Sequence, residues 1–213
     1  MHAFEPWNID VSQILTRREL MSVVTSLKTR SDRLPNVQQN LALVRLACCC
    51  GLRASEIGGL KLADVMTGIS RPFIQVRAET AKGAHARRVP LWWDAGTLED
   101  LTGWKSARRS QGARVGDPFL CSLQAATFGQ PLNRHVLRRR FITAYRVLGW
   151  DRLRTLTQHH GRHTFISHAL ARHRTLAEVR VVVGHASLLT TSAYLQVAID
   201  DDGAVGDLFA LAE

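Results

Sequence analysis

The stretch that most constrains this chain is residues 36–50, NVQQNLALVRLACCC, in which Leu41, Val44 and Cys48 recur at helical spacing and Gly51 follows at once. Apolar residues at this interval make a helix whose stripe must be covered, and a glycine just past the last periodic position is a common left-handed stop. The segment therefore reads as a buried helix that ends at Gly51. It delivers Arg53 just beyond the core, with Ser55 available to start the next helix. Cys48, Cys49, Cys50 and Cys121 lack CxxC spacing. Three consecutive helical residues project about 100° apart and cannot all ligate one metal. They read as small apolar core residues of a reduced compartment.

The other periodic signals are mostly helical. Thr16 and Glu19 form a capping box ahead of Leu20, Val23, Val24 and Leu27, which predicts a helix running to about Arg30. Helical patterning returns from Thr97 to Arg109 and from Asn133 to Leu148. In the latter, Leu137, Phe141, Ala144, Tyr145 and Leu148 form a stripe, and Arg138, Arg139 and Arg140 straddle its polar edge. Thr175 and Glu178 make a second capping box, Val179, Val182 and Val183 fill a buried face, and Gly184 ends that helix, leaving His185 on a turn. RPFIQVRAETAKGAHARRVPL, residues 71–91, instead alternates at Ile74 and Val76, turns at Lys-Gly, and resumes at Val89 and Leu91, as a small antiparallel sheet would. Residues 111–119, QGARVGDPF, read as the most mobile loop. The expected fold class is α+β, mainly helical, with a small antiparallel β-sheet. A chain of 213 residues is long enough for one substantial core.

Lysine and arginine number 28 against 18 acids, a formal charge of +10, which favours a polyanionic partner, nucleic acid before an anionic membrane surface. No run of about 18 apolar residues is present, and the first ten residues, MHAFEPWNID, lack a signal-peptide pattern. A cytoplasmic protein with no membrane partner is expected. The last residues, IDDDGAVGDLFALAE, are acidic, with Leu208, Phe209 and Leu211 as apolar anchors, and such a tail should not rest on DNA.

Three segments carry chemistry together: GLRASEIGGLKL at 51–62, HHGRHTFISHAL at 159–170 and GHASLLTTSAYLQV at 184–197. In order and spacing, from about residue 16 to 197, the chain resembles the tyrosine recombinase (lambda-integrase) family. The resemblance implies strand cleavage and rejoining through a 3′-phosphotyrosine, with Arg53 and Arg162 as the two catalytic arginines. Guanidinium suits that role, being permanently charged and able to hold two phosphate oxygens at once. His159 stands at the family's H-x-x-R spacing before Arg162, as a proton acceptor or phosphate ligand. Lys82 falls in the hairpin where the family has a lysine in the minor groove, a plausible general acid. His185 and Tyr194 are nine positions apart, the family's spacing between its second histidine and the nucleophile. A phenolate, with pKa near 10, leaves well enough for the reaction to reverse. Tyr145 belongs to an apolar stripe and reads as core.

Around these, Glu56 is expected to orient its neighbours and His163 to be structural. Arg87, Arg88, Arg138 and Arg139 are expected DNA contacts, Arg87 and Arg88 on backbone phosphates. His159 and His163 are spaced as a zinc pair could be, but His160 stands where a zinc-protease motif has glutamate and no third ligand is implied, so neither metal nor cofactor is expected. Gly161 replaces the family's leucine, which costs roughly 1 kcal/mol of helix propensity and should loosen the arginine beside it. Only 52 residues precede Arg53, too few for the family's N-terminal core-binding domain, so residues 1–199 read as the catalytic domain and 200–213 as the tail. The implied partners are double-stranded DNA, a homo-oligomer on it as a tetrameric synapse, and an accessory DNA-binding protein in place of that domain. Two alternatives stand beside recombination: a type IB topoisomerase-like or hairpin-resolving strand transferase, and a DNA-binding accessory protein that has lost catalysis.

Overall fold

The apolar segment sits at the centre of the molecule, as its patterning requires. In the computed structural model, which describes residues 11–81, 85–156 and 159–196, helix α2 spans Pro35–Val44 and runs on as a π-helical turn, Arg45–Cys49. Leu41 to Val44, Leu46, Ala47 and all three consecutive cysteines are buried. A helix apolar on every side must be covered on every side. Helix α1 (Arg17–Ser31) lies along α2 through Leu20, Val23, Val24 and Leu27, starting at the expected Thr16–Glu19 capping box with both reciprocal bonds formed. Helices α4 (Ala95–Ser110) and α5 (Arg134–Ala144) cover its other flanks, and α7 (His160–Ala171) crosses the π-helical turn.

The π turn is fixed from both sides. Arg45 is buried, and its guanidinium donates to Asp100 at 2.7 Å, to Asp94 at 3.3 Å and to Cys49 Sγ at 3.7 Å. Asp94 also accepts the Gly96 N–H at the start of α4, so one carboxylate ties two helices. On the opposite side α7 comes so close that a Cβ on Gly161 would lie 2.7 Å from Ala47 Cβ and 3.1 Å from its carbonyl carbon. The glycine therefore does not loosen Arg162. It allows the backbone approach that seats α7. Gly51 adopts φ +65° as the sequence predicts, against the Phe165 ring of the same helix.

The sheet has the order β1 (Val65–Met66), β2 (Phe73–Val76), β3 (Arg87–Pro90), antiparallel throughout, with Val65 opposite Ile74, Ile74 opposite Val89 and Val76 opposite Arg87. Ile74, Val76 and Val89 point into the core and β3 packs on α8 (Leu176–Val183), which follows the expected Thr175–Glu178 capping box. Residues 82–84, and with them Lys82, lie outside the described residues, as does the acidic tail. Short elements complete the chain: α3 (Ala54–Gly58), α6 (Trp150–Thr155), α9 (Leu188–Ser192) and a 3-10 turn, Ala193–Gln196, which carries Tyr194.

Three local expectations change. Helix α3 starts before Ser55, because the Glu56 carboxylate accepts the Arg53 N–H at 2.8 Å and does the capping instead. Helix α5 stops at Ala144, and its last residues form a separate 3-10 turn ending at Gly149 with φ +82°. Tyr145 is core, as expected, with its hydroxyl 3.0 Å from Cys48 Sγ. Residues 111–119 are pinned rather than loose: Ala63, Leu62 and Phe119 exchange backbone bonds of 2.8, 3.0 and 2.8 Å with Val115, Asp117 and Leu60. Among the described residues, no helix is long and apolar enough to cross a membrane.

The Gly161 contact gives a stability prediction. Gly161→Ala gains about 1 kcal/mol of helix propensity and loses about 1–3 kcal/mol to overpacking against Ala47, so the variant should unfold at lower urea concentration than the parent. Ala47→Gly in the same chain should recover part of the loss.

Candidate active site

Glu56 organises the site from beneath. Its side chain has no exposure, and it accepts from Arg53 N at 2.8 Å, from Arg53 Nη1 at 3.1 Å, and from both terminal nitrogens of Arg87 at 2.8 Å each. Burial alone would raise this carboxyl, but the hydrogen bonds and charge of Arg87, with Arg53 behind them, hold it below its usual range. Arg53, just past the Gly51 stop, is thereby fixed at the edge of the core with 17% of its side chain still open. Arg87 differs from the expected phosphate contact. Only 6% of its side chain is exposed, both ends of its fork are spent on Glu56, and its Nε donates to the Val182 carbonyl at 2.7 Å.

That last bond belongs to a second device. The carbonyls at the end of α8 have no partner within the helix, and two arginines cap them: Arg87 on Val182 and Arg162 on Val183. Arg162 also donates to Gly51 O at 3.0 Å, which joins α7, α8 and the end of the central helix. Gly184 then turns the chain at φ +66°, where a Cβ would press on Arg87 Cδ at 3.1 Å. Burial, reinforced by the positive charges of Arg53 and Arg87, pushes Arg162 below the usual arginine range. A guanidinium in that position is stabilised by an incoming anion.

Beyond Gly184, His185 is oriented by Thr191, with Nδ1 3.0 Å from the buried hydroxyl, and α9 leads to Tyr194. The tyrosine is only 3% exposed. Its Oη lies 2.7 Å from His163 Nδ1, the two rings stack with centroids 5.7 Å apart, and the His185 ring lies 6.5 Å away on a similar tilt. Burial pushes Tyr194 up to about 12, against the pull of Arg162 and Arg53. Burial also pushes His163 down to about 4, helped by His159 and Arg162, and His185 down to about 3, helped by Arg162, Arg53 and Arg87. Both histidines are neutral at pH 7.

The structure thus gathers Arg53, Arg162, His185 and Tyr194 as their spacing implies, with Glu56 as support. His163, expected to be structural, instead touches the tyrosine hydroxyl, because one turn into α7 brings it to the face where Tyr194 lies. His159 sits at the exposed start of that helix and, with Arg53, lines an open groove of about 460 Å³. Arg134, which the sequence reading passes over, lines the same groove from the first turn of α5. Its i,i+4 spacing from Arg138 was the available signal. Arg138 and Arg139 are exposed on α5, Arg138 along a neighbouring cavity with Phe141 and Tyr145. Arg88 is exposed on β3, its guanidinium 4.6 Å from the Phe73 ring centre. Among the described residues, no three His, Cys, Asp or Glu side chains come together as a metal cradle.

Comparison with known proteins gives the family. Tyrosine recombinase XerD of Proteus mirabilis is 31% identical over 160 residues, covering 75% of this chain and 48% of the relative. Tyrosine recombinase XerC of Corynebacterium glutamicum is 30% identical over 189 residues, covering 89% and 56%. The chain thus spans about half the length of the curated relatives it matches. Among solved structures, that of XerA recombinase superposes with a TM-score of 0.69 at 20% identity, over 93% of this chain and 62% of that one. XerH site-specific recombinase bound to palindromic difH substrate, a post-cleavage complex, gives 0.65 at 22%, over 89% and 50%. The sequence pattern of the Phage integrase family matches residues 8–200. That match spans most of the chain, which thus belongs to the phage integrase family.

Proposed function

We propose that this chain is a site-specific recombinase that cleaves and rejoins DNA through a 3′-phosphotyrosine on Tyr194. The observation that carries the reading is the convergence of a buried tyrosine hydroxyl with two guanidinium groups, Arg53 and Arg162, that act on its charge. Tyr194 Oη attacks the scissile phosphorus. Arg53 and Arg162 hold the non-bridging oxygens and meet the charge that grows there in the transition state. His185 adds a ligand to the same phosphate, and Lys82 on the hairpin protonates the departing 5′ oxygen. The phosphotyrosine bond conserves the energy of the cut strand, so rejoining needs no nucleotide cofactor.

Double-stranded DNA is the partner, with Arg88, Arg134, Arg138 and Arg139 as positioning contacts along the groove side. Exchange between two duplexes calls for a tetrameric synapse of this chain, with or without an accessory DNA-binding protein. The named recombinase relatives favour this reading over a topoisomerase-like one. Competent side chains at Arg53, His159, Arg162, His185 and Tyr194 favour it over a silent DNA-binding protein.

A library of nicked duplexes with randomised sequence, incubated with the protein and selected for covalent protein–DNA adducts, tests the reading. The wild type should form adducts and Tyr194→Phe none, while Tyr145→Phe, altered only in the core, should still form them. A DNA-linked peptide centred on another residue would overturn the assignment. Cleavage should survive excess EDTA, and Arg53→Lys should lose about 3 kcal/mol of transition-state stabilisation, roughly a hundredfold in rate. Chelator inhibition reversed by magnesium would exclude the arginine-based scheme. Binding should also be steep in salt: if about six phosphates are neutralised, log K falls against log[salt] with a slope near −5, measurable by fluorescence anisotropy.

A further inference from the structure

Helix α9 is turned against its own hydropathy. Leu188 and Leu189 face outward, 47% and 75% exposed, while Thr191 is the buried residue of the helix, with no exposure at all. Apolar side chains left in water are ordinary, but a polar group taken out of it needs a hydrogen bond. Among the described residues the Thr191 hydroxyl has one partner, Nδ1 of His185 at 3.0 Å. A hydroxyl accepts as well as donates, and a neutral imidazole nitrogen does one or the other. Only one direction leaves neither group short. If Nδ1 carried the proton and gave it to Oγ1, the hydroxyl proton would be buried with nothing to receive it. If the hydroxyl donates, Nδ1 accepts with its lone pair and both groups are met.

We infer that Thr191 is a positioning residue that fixes the tautomer of His185, keeping the single ring proton on Nε2 as a hydrogen-bond donor for the bound phosphate. Its effect on cleavage rests on the reading above, in which His185 meets the phosphate that Tyr194 attacks. The tautomer itself does not. With Nδ1 held by Thr191, Nε2 is the nitrogen left for a ligand. The ring is half-buried beside Tyr194, and Arg162, Arg53 and Arg87 stand close enough for their charge to act on it. Burial, helped by those charges, pushes His185 down to about 3, so at pH 7 it has one N–H rather than two. The nitrogen that bears this proton decides whether the ring offers an anion a donor or a repelling lone pair. Arg53 and Arg162 offer donors on every nitrogen. His185 joins them only in the tautomer that Thr191, six residues further along the chain, selects.

Proton–nitrogen correlation NMR of the isotope-labelled chain at pH 7 reads the tautomer directly, with the His185 signals identified by their loss in His185→Gln. In the wild type Nε2 should be protonated and Nδ1 bare. Thr191→Val, which keeps the shape and removes the hydroxyl, should displace the Nδ1 signal and, at saturating nicked duplex, form adducts about tenfold more slowly. Thr191→Ser restores the hydroxyl and should cleave within about threefold of the wild type with the Nδ1 signal in place. In a His185→Ala background Thr191→Val should cost nothing further, because the hydroxyl acts through the ring. A wild-type ring protonated on Nδ1, Thr191→Val cleaving as fast as the wild type, or the same loss with and without His185 would each overturn the inference. A wild type that forms no adduct while its spectra show Nε2 protonated would instead overturn the cleavage reading and leave the tautomer standing.

Discussion

Glu56 carries its negative charge with no side-chain exposure, a state that costs several kcal/mol unless every oxygen is met. Four donor bonds meet it, two from Arg53 and two from Arg87. The carboxylate starts α3, holds Arg53 at the rim, and clamps β3 to the same point. Arg87 relays that clamp to the end of α8, where Gly184 leaves just enough room for its side chain. Arg53, β3 and the end of α8 therefore come from distant parts of the chain yet are tied to one charge. Neutralising Glu56 would leave a buried arginine with one partner and free the other to drift.

The resulting field is strongly positive and poorly hydrated. Arg162 is pressed down by burial and by its like-charged neighbours, and His163 and His185 give up their charge under the same pressure. These are unfavourable interactions that any bound anion would relieve. Tyr194 shares this logic. Its hydroxyl is sheltered, and burial keeps it protonated against the pull of Arg162 and Arg53.

Much of the fold could be read from the sequence because its signals are local. Thr16 with Glu19, Thr175 with Glu178, Gly51 and Gly184 act within a single turn of chain, and each forms the cap its residues imply. The features that escaped are those set by partners far along the chain. Arg87 looks like any hairpin arginine until Glu56, 31 residues earlier, is brought against it. The π-helical turn depends on Arg45 reaching Asp94 and Asp100 and on α7 arriving at Gly161. For the site, spacing singled out Arg53, Arg162 and Tyr194, which the fold brings near one another. It read His163 as structural and missed its contact with the Tyr194 hydroxyl, because α7 is buried nearly all round and has no apolar stripe to tell which face meets Tyr194.

The cysteines have a consequence outside catalysis. Cys48, Cys49, Cys50 and Cys121 are all buried, and burial raises each thiol above its ordinary range, so the native chain presents almost no thiolate. Cys48 and Cys49 lie in the π-helical turn of the central helix and Cys50 just past it, in the segment against which α1, α4, α5 and α7 pack. An alkylating reagent can reach them only when that helix is uncovered, which makes thiol labelling a built-in clock for opening of the central core.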